Sequence, residues 1–405
     1  MDIGQDFECQ PDQVTLDPMN ISRRFFFGLM LFVNICLLNG QDSLQNGYQF
    51  KLVFVGDIMG HGSQIEAAKV LKDSLYDYSP CFEYVSPILK QADLAVGNLE
   101  VTLPGDPPYK GYPQFRSPDD LALALRYAGF DLLVTANNHS NDARKKGVVN
   151  TIQTLHDYGF YHTGTFRNEE ERSAFYPLIV YRNNFKLAFL NYTYGTNGIP
   201  TSAPTVVNLI DEAQMKSDLA QAKALSPDFI IVMMHWGLEY QLNESSKQRR
   251  LTDSLFTWGG DLVIGAHPHV VQPIKKVEYK RANQLDSGYV AFSLGNFISG
   301  QRKRYTDGGI MYELTLRKDE LDQKARVINQ NYIPVWRYIE KNGNKQTFRA
   351  IPISAFEEAN GMGIELKTED RQKMLFYLRE TRKHLNRFDS SERKISLQEL
   401  STSKF

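Results

Sequence analysis

LVFVGD, residues 52–57, packs four apolar side chains against a Gly56-Asp57 end, and five later stretches repeat the design. ADLAVGNLE ends at Glu100, FDLLVTANNH at Asn138-His139, DFIIVMMHWG carries His235, DLVIGAHPH ends in His267-Pro268-His269, and YVAFSLGN ends at Asn296. Each run is short, rich in β-branched residues and almost unbroken, as in a strand buried on both faces. Ligands of open α/β sheets bind beyond the carboxyl ends of such strands. The chain therefore delivers Asp57, Glu100, Asn138 and several histidines to one sheet edge, which is the side-chain set of a metal centre.

Segments with helical patterns lie between most of these runs, near 64–76, 117–128, 147–158, 211–225 and 245–258. Ser117-Pro118 followed by Asp119 and Asp120 predicts a capped helix start with acids at its positive end. The alternation predicts an α/β fold with a mostly parallel sheet and crossover helices. After Gly300 the pattern changes to MYELTLRK, QNYIPVWRYIE and FRAIPIS, read as strands of a second sheet with a turn at Asn342-Gly343-Asn344. A charged amphipathic helix near 368–386 follows. The expected organisation is a leader over 1–40, a main domain over 48–365 and a helix with a tail over 366–405.

The chain has 405 residues, 42% of them hydrophobic, enough for a sizeable core. Lys plus Arg number 46 against 47 Asp plus Glu, so the global basic charge of a nucleic-acid binder is missing. Arg23-Arg24 before the apolar stretch Phe25 to Leu38 reads as a secretory signal peptide starting at Met19, or as an uncleaved membrane anchor. Either places the rest of the chain outside the cytoplasmic membrane, in the periplasm or at the cell surface. Cleavage after Gly40 leaves Cys81 alone of Cys9, Cys36 and Cys81, so no internal disulfide is expected. Cys81 reads as a packing residue.

Five of the eight histidines, His61, His139, His235, His267 and His269, sit at or just past strand ends. Neutral imidazole, carboxylate and carbonyl oxygen are the ligands of divalent metals. Pro268 fixes φ and removes a donor, so His267 and His269 leave the strand in a stiff turn. A carboxylate can span two cations, which makes Glu100 the bridging candidate. Two ions about 3.5–4 Å apart activate a water and stabilise displacement at phosphorus. Glu239 and Gln272 are candidates to orient the ligating histidines. The chain has no phosphate-binding Gly-Lys loop, no Gly-x-Ser-x-Gly elbow and no dinucleotide fingerprint.

The six motifs, taken in order over roughly residues 50 to 340, resemble the CapA family of capsule and poly-γ-glutamate synthesis, within the calcineurin-like metallophosphoesterase superfamily. The resemblance implies a metallophosphatase-like four-layer α/β/β/α sandwich. It implies two divalent ions (Mn, Fe or Zn), with Asp57 and His269 on the first, Asn138, His235 and His267 on the second, and Glu100 bridging. His61 joins the ligand set, although it follows Asp57 by four residues where the superfamily has Asp-x-His. His139 orients the phosphate or protonates the leaving group. Two functions follow: a metal-dependent hydrolase of a phosphoester or another bond in an envelope polymer, or a non-enzymatic factor that binds a polyanionic polymer or its membrane synthase.

Overall fold

The computed structural model describes residues 47–70, 75–281, 284–319, 324–357, 365–388 and 390–401. The leader, with Cys9, Cys36 and the signal-peptide reading, lies outside these residues. Among the described residues no helix is long and apolar enough to cross a membrane.

The apolar runs are strands, as predicted. In the first part of the chain they are β1 (Tyr48–Ile58), β2 (Leu94–Leu99), β3 (Leu132–Val134) and β4 (Tyr161–Thr163), which lie side by side in parallel. β5 (Leu178–Arg182), β6 (Phe185–Thr193), β7 (Phe229–His235), β8 (Leu262–Ala266), β9 (Ile274–Arg281) and β10 (Gln284–Ala291) form a separate six-stranded sheet in the order β9-β10-β8-β7-β6-β5. β11 (Asn296–Ile298), β12 (Gly308–Lys318), β13 (Ala325–Asn342) and β14 (Lys345–Pro352) then return to the first sheet, whose order is β14-β13-β12-β1-β2-β3-β4 with β11 beside the end of β1.

This corrects the expected division. The C-terminal strands do not make a sheet of their own; the break falls between β4 and β5. β12 pairs antiparallel with β1 from Tyr48↔Lys318 to Val55↔Met311, so β1 is an interior strand with partners on both sides. Chain order alone does not say which free edge a later strand will take.

Alternation along β1 shows the layering. Phe50, Leu52 and Phe54 face the other sheet and meet Leu187, Phe189, Ile231, Met233 and Ile264 in a core between the sheets. Val53 and Val55 face outward, among Ile88, Leu125 and Leu155 of the covering helices and Met374 and Leu378 of the helix Thr368–Leu385. On the far face of the second sheet, Leu190, Val232 and Val263 pack on Met215 and Leu219 of Glu212–Ala224 and Leu251 and Leu255 of Ser246–Trp258. The result is the four-layer α/β/β/α sandwich.

Two local readings also change. The helix expected from Gln64 to Tyr76 spans Gly62–Ala68, because Lys69 turns extended and bridges to Tyr76. The helix expected to start at Ser117 spans Asp120–Ala128, with Asp119 at its cap; the Ser117 amide instead donates to the Thr102 carbonyl at 2.9 Å. Cys81 is buried, and burial pushes its thiol pKa up to about 12, as suits a packing residue.

Candidate metal centre

Asp57 comes first because the register places it. In β1 it stands beside Asn98 of β2 on one side and Asn296 of β11 on the other. Gly56 makes this seam close enough: a Cβ there would sit 1.9 Å from the Gly295 carbonyl oxygen, which accepts from the Asp57 amide at 2.9 Å. Asn98 Nδ2 donates to Asp57 Oδ1 at 2.8 Å and lies 3.3 Å from His235 Nδ1.

Glu100 leaves β2 with its amide donating to the Ile58 carbonyl at 3.0 Å, and its side chain is 0% exposed. Neither carboxylate oxygen has a hydrogen-bond partner. Burial first, and then the neighbouring Asp57, push its pKa well above the usual carboxylate range. Two facing carboxylates in a dry site repel each other unless a proton or a cation sits between them.

The second sheet supplies the histidines. β7 ends at His235, whose Nε2 lies 2.8 Å from Asn138 Oδ1 and 3.6 Å from Glu100 Oε1. β8 ends at Ala266, and His267 and His269 follow with φ of 99° and 60°, a backbone region that non-glycine residues rarely occupy. The His267 amide points at both oxygens of Asp57, 3.3 Å from each. His269 Nδ1 lies 3.0 Å from Asp57 Oδ2 and 3.1 Å from Asn296 Oδ1, and its Nε2 is 4.0 Å from Glu239. His267 Nδ1 is buried without a partner. Burial, followed by His269, holds the His267 pKa down at about 3, and burial takes His235 well below its ordinary value. Both rings are therefore neutral and have lone pairs to offer.

Ligand-type atoms of Glu100, His267 and His269 lie within 4.8 Å of one another, and so do those of Asp57, Glu100 and His235. Glu100 belongs to both groups. The two groups overlap, and the shorter contacts join His269 to Asp57 and His235 to Asn138. The donor set suits divalent ions: neutral imidazoles, an amide oxygen from Asn138, and two buried carboxylates of which one has no partner.

His139 stands apart from both groups. Its Nδ1 is 2.7 Å from Asp142 Oδ2, and its ring meets Phe115 edge-on at 4.6 Å. The turn that presents it is tied by Asn137 Oδ1, which accepts from the His139 amide at 3.0 Å. His61 also lies outside the two groups. Its Nδ1 accepts from the Gly300 amide at 3.1 Å, its ring packs on Phe115 at 4.9 Å, and burial lowers its pKa to about 4. Nε2 is the nitrogen left for an ion.

Asn98, Asp142 and Tyr194 were not picked out from sequence. Tyr194 tilts over His267 with ring centroids 4.6 Å apart. Asn98 and Asp142 were within view, since each lies two or three residues from a motif residue already singled out.

Residues 51–301 match the family described as bacterial capsule synthesis protein PGA_cap. The capsule biosynthesis protein CapA of Bacillus anthracis is 29% identical over 66% of this chain and 64% of its own length. The PGA biosynthesis protein CapA of Bacillus subtilis is 27% identical over 66% of this chain and 67% of its own. The match thus spans about two thirds of these relatives. Among solved structures, a phosphatase from Mycoplasma pneumoniae aligns over 72% of the chain and 95% of its own with a TM-score of 0.41 and 14% identity. The calcineurin-like phosphoesterase YfkN of Bacillus subtilis aligns over 84% of the chain and 100% of its own with a TM-score of 0.42 and 12% identity.

Proposed function

Because the chain belongs to the bacterial capsule synthesis protein PGA_cap family, we propose that it is an exported metal-dependent hydrolase that cuts a phosphoester or a related bond during capsule-type polymer synthesis. The observation that carries the hydrolase reading is Glu100. A fully buried carboxylate with both oxygens unpartnered, set among Asp57, His235, His267 and His269, is costly in the fold unless cations complete it.

In this reading Asp57, Glu100, Asn138, His235, His267 and His269 hold two divalent ions. When bound, the ions supply Lewis acidity and a water of lowered pKa. Asn98 steadies Asp57 and His235. His139, fixed at Nδ1 by Asp142, keeps Nε2 for the substrate and passes a proton to the leaving oxygen or orients the group that carries it. Phe115 walls the ring on one side.

The test is metal content together with turnover. Purified protein is expected to retain close to two divalent ions by elemental analysis. With Mn²⁺ it is expected to release nitrophenol from bis-p-nitrophenyl phosphate and to stop when chelator is added. Protein that holds no ion after incubation with Mn²⁺, Fe²⁺ or Zn²⁺ overturns the reading.

A further inference from the structure

Beside the candidate metal centre lies a groove of about 740 Å³, walled by the 302–305 segment, β13 and the helix Thr368–Leu385. Seven cationic and three acidic side chains line it, in a chain whose formal net charge is −1. The acids are in part already engaged. Asp307 accepts from Trp336 Nε1 at 2.9 Å, and Glu369 pairs with Lys373. Arg302, Lys341 and Lys367 are exposed and, among the described residues, have no carboxylate within salt-bridge distance.

Arg337 is the unusual member. It is 8% exposed, it has no salt-bridge partner among the described residues, and its Nε is buried without a hydrogen-bond partner. Nη2 donates to the Gln301 carbonyl at 2.7 Å, which fixes the guanidinium in place. Asp307 is the acid that acts on it, from beyond salt-bridge distance, and a buried cation so weakly compensated is costly. A planar guanidinium with a free edge is also the group best shaped to take a carboxylate or phosphate through two parallel hydrogen bonds.

The groove is tied to the metal centre through side chains. Gln301 Oε1 accepts from Asn296 Nδ2 at 2.9 Å, and Asn296 Oδ1 lies 3.1 Å from His269 Nδ1. Lys303, which also lines the groove, sits 3.6 Å over the ring of Tyr240, the neighbour of Glu239. A ligand anchored at Arg337 is thus two residues removed from His269.

From these features we infer that the groove is a second binding site, separate from the metal ligands, for a multiply charged oxyanion anchored on Arg337. The ligand chemistry is phosphate or carboxylate repeated along one molecule, because seven cations spread over three walls of one groove exceed what a single small anion can neutralise. The inference goes beyond the hydrolase reading and does not need the ions. It is tested on protein stripped of metal by chelator and then dialysed free of it, so the two can fail separately.

The experiment is isothermal titration of the full chain with tripolyphosphate and, separately, with citrate, at low and at raised salt. Wild-type protein is expected to bind at least one of them, with affinity that falls as salt rises. Binding of one alone assigns the phosphoryl or the carboxylate class. The surface variant Lys341→Glu with Lys367→Glu is expected to bind roughly tenfold more weakly or worse, as is Arg337→Gln. Because Arg337 is buried and its replacement could disturb folding, the surface variant carries the decision. Glu100→Gln is expected to bind as wild type does. No binding of either anion, equal affinity in the surface variant, or loss of binding in Glu100→Gln each overturns the inference.

Discussion

Glu100→Gln is expected to make the metal-free protein more stable and the metal-loaded protein less stable than wild type. The side chain is 0% exposed and its two oxygens have no hydrogen-bond partner. An uncompensated buried charge costs roughly 3–5 kcal/mol, whereas a buried amide short of a partner costs roughly 1–3 kcal/mol. The exchange should therefore stabilise the chelated protein by about 2 kcal/mol, or roughly 2–3 °C in Tm for a chain of this size. The pH dependence has a definite sign. Burial and Asp57 raise the folded pKa of Glu100, so above about pH 4.5 the folded state binds more protons than the unfolded one. The Glu100 contribution to wild-type stability then falls as pH rises toward that folded pKa, by at most about 1.4 kcal/mol per pH unit, and it is read above about pH 6.5, where the buried histidines no longer bind protons in either state. The variant lacks this contribution. An ion present at 100 times its Kd adds about 2.7 kcal/mol to a protein that binds it fully, and the variant gains less, so the order of stability reverses on loading. Thermal melts of both proteins at pH 7 and 8, with chelator and with Mn²⁺, read all four states. A variant that melts below wild type in chelator would show that Glu100 is a satisfied structural side chain, and the metal argument built on it would fall.

Three further outcomes are expected. His139→Ala should keep normal metal content and lose roughly 10²–10⁴-fold in phosphodiester turnover; depletion of metal to the level of Asp57→Ala would place His139 among the ligands instead. Gly56→Ala should lose roughly 3 kcal/mol in denaturant unfolding, since its methyl group would meet the Gly295 carbonyl oxygen at 1.9 Å; an unchanged midpoint would mean that the β1–β11 seam is looser than described. Burial holds His61 and His162 at about 4 and His267 at about 3 in the folded state, so chelated protein should gain stability as pH rises from about 4 to 6.5, the window in which only the unfolded chain binds those protons; a flat profile in denaturant titrations across that window contradicts the buried, neutral rings.

The strands and the side chains they end on were legible because a strand buried on both faces leaves a continuous apolar run, and a ligand at its tip interrupts that run visibly. LVFVGD and DLVIGAHPH show this plainly. What could not be read was which sheet each strand joins. β12 reaches back to β1 across most of the chain, and nothing local in MYELTLRK says that its partner is KLVFV rather than YVAFS. The directions of the histidine rings were hidden for a related reason. His267 and His269 differ by two positions, but a backbone with positive φ at both sends their rings where no simple alternation rule would place them. Asn98 lies in view beside Glu100, but its role rests on partners that only the folded chain brings near: Asp57, 41 residues earlier in sequence, and His235, 137 residues later. Arg337 gave no signal at all, because a lone arginine in QNYIPVWRYIE looks like a strand's solvent-facing residue.

The pairing of β1 with β12 also governs the order in which the chain can safely be made. Every proposed metal ligand has been synthesised once His269 is in place, yet one edge of β1 stays open until residues 308–318 arrive to close it. A chain halted before that point carries an apolar strand with a row of free amide and carbonyl groups, which is a template for pairing with another chain. The C-terminal strands supply no proposed ligand, but they close that edge, and they decide whether the same histidines and carboxylates end in a folded chain or in an aggregate.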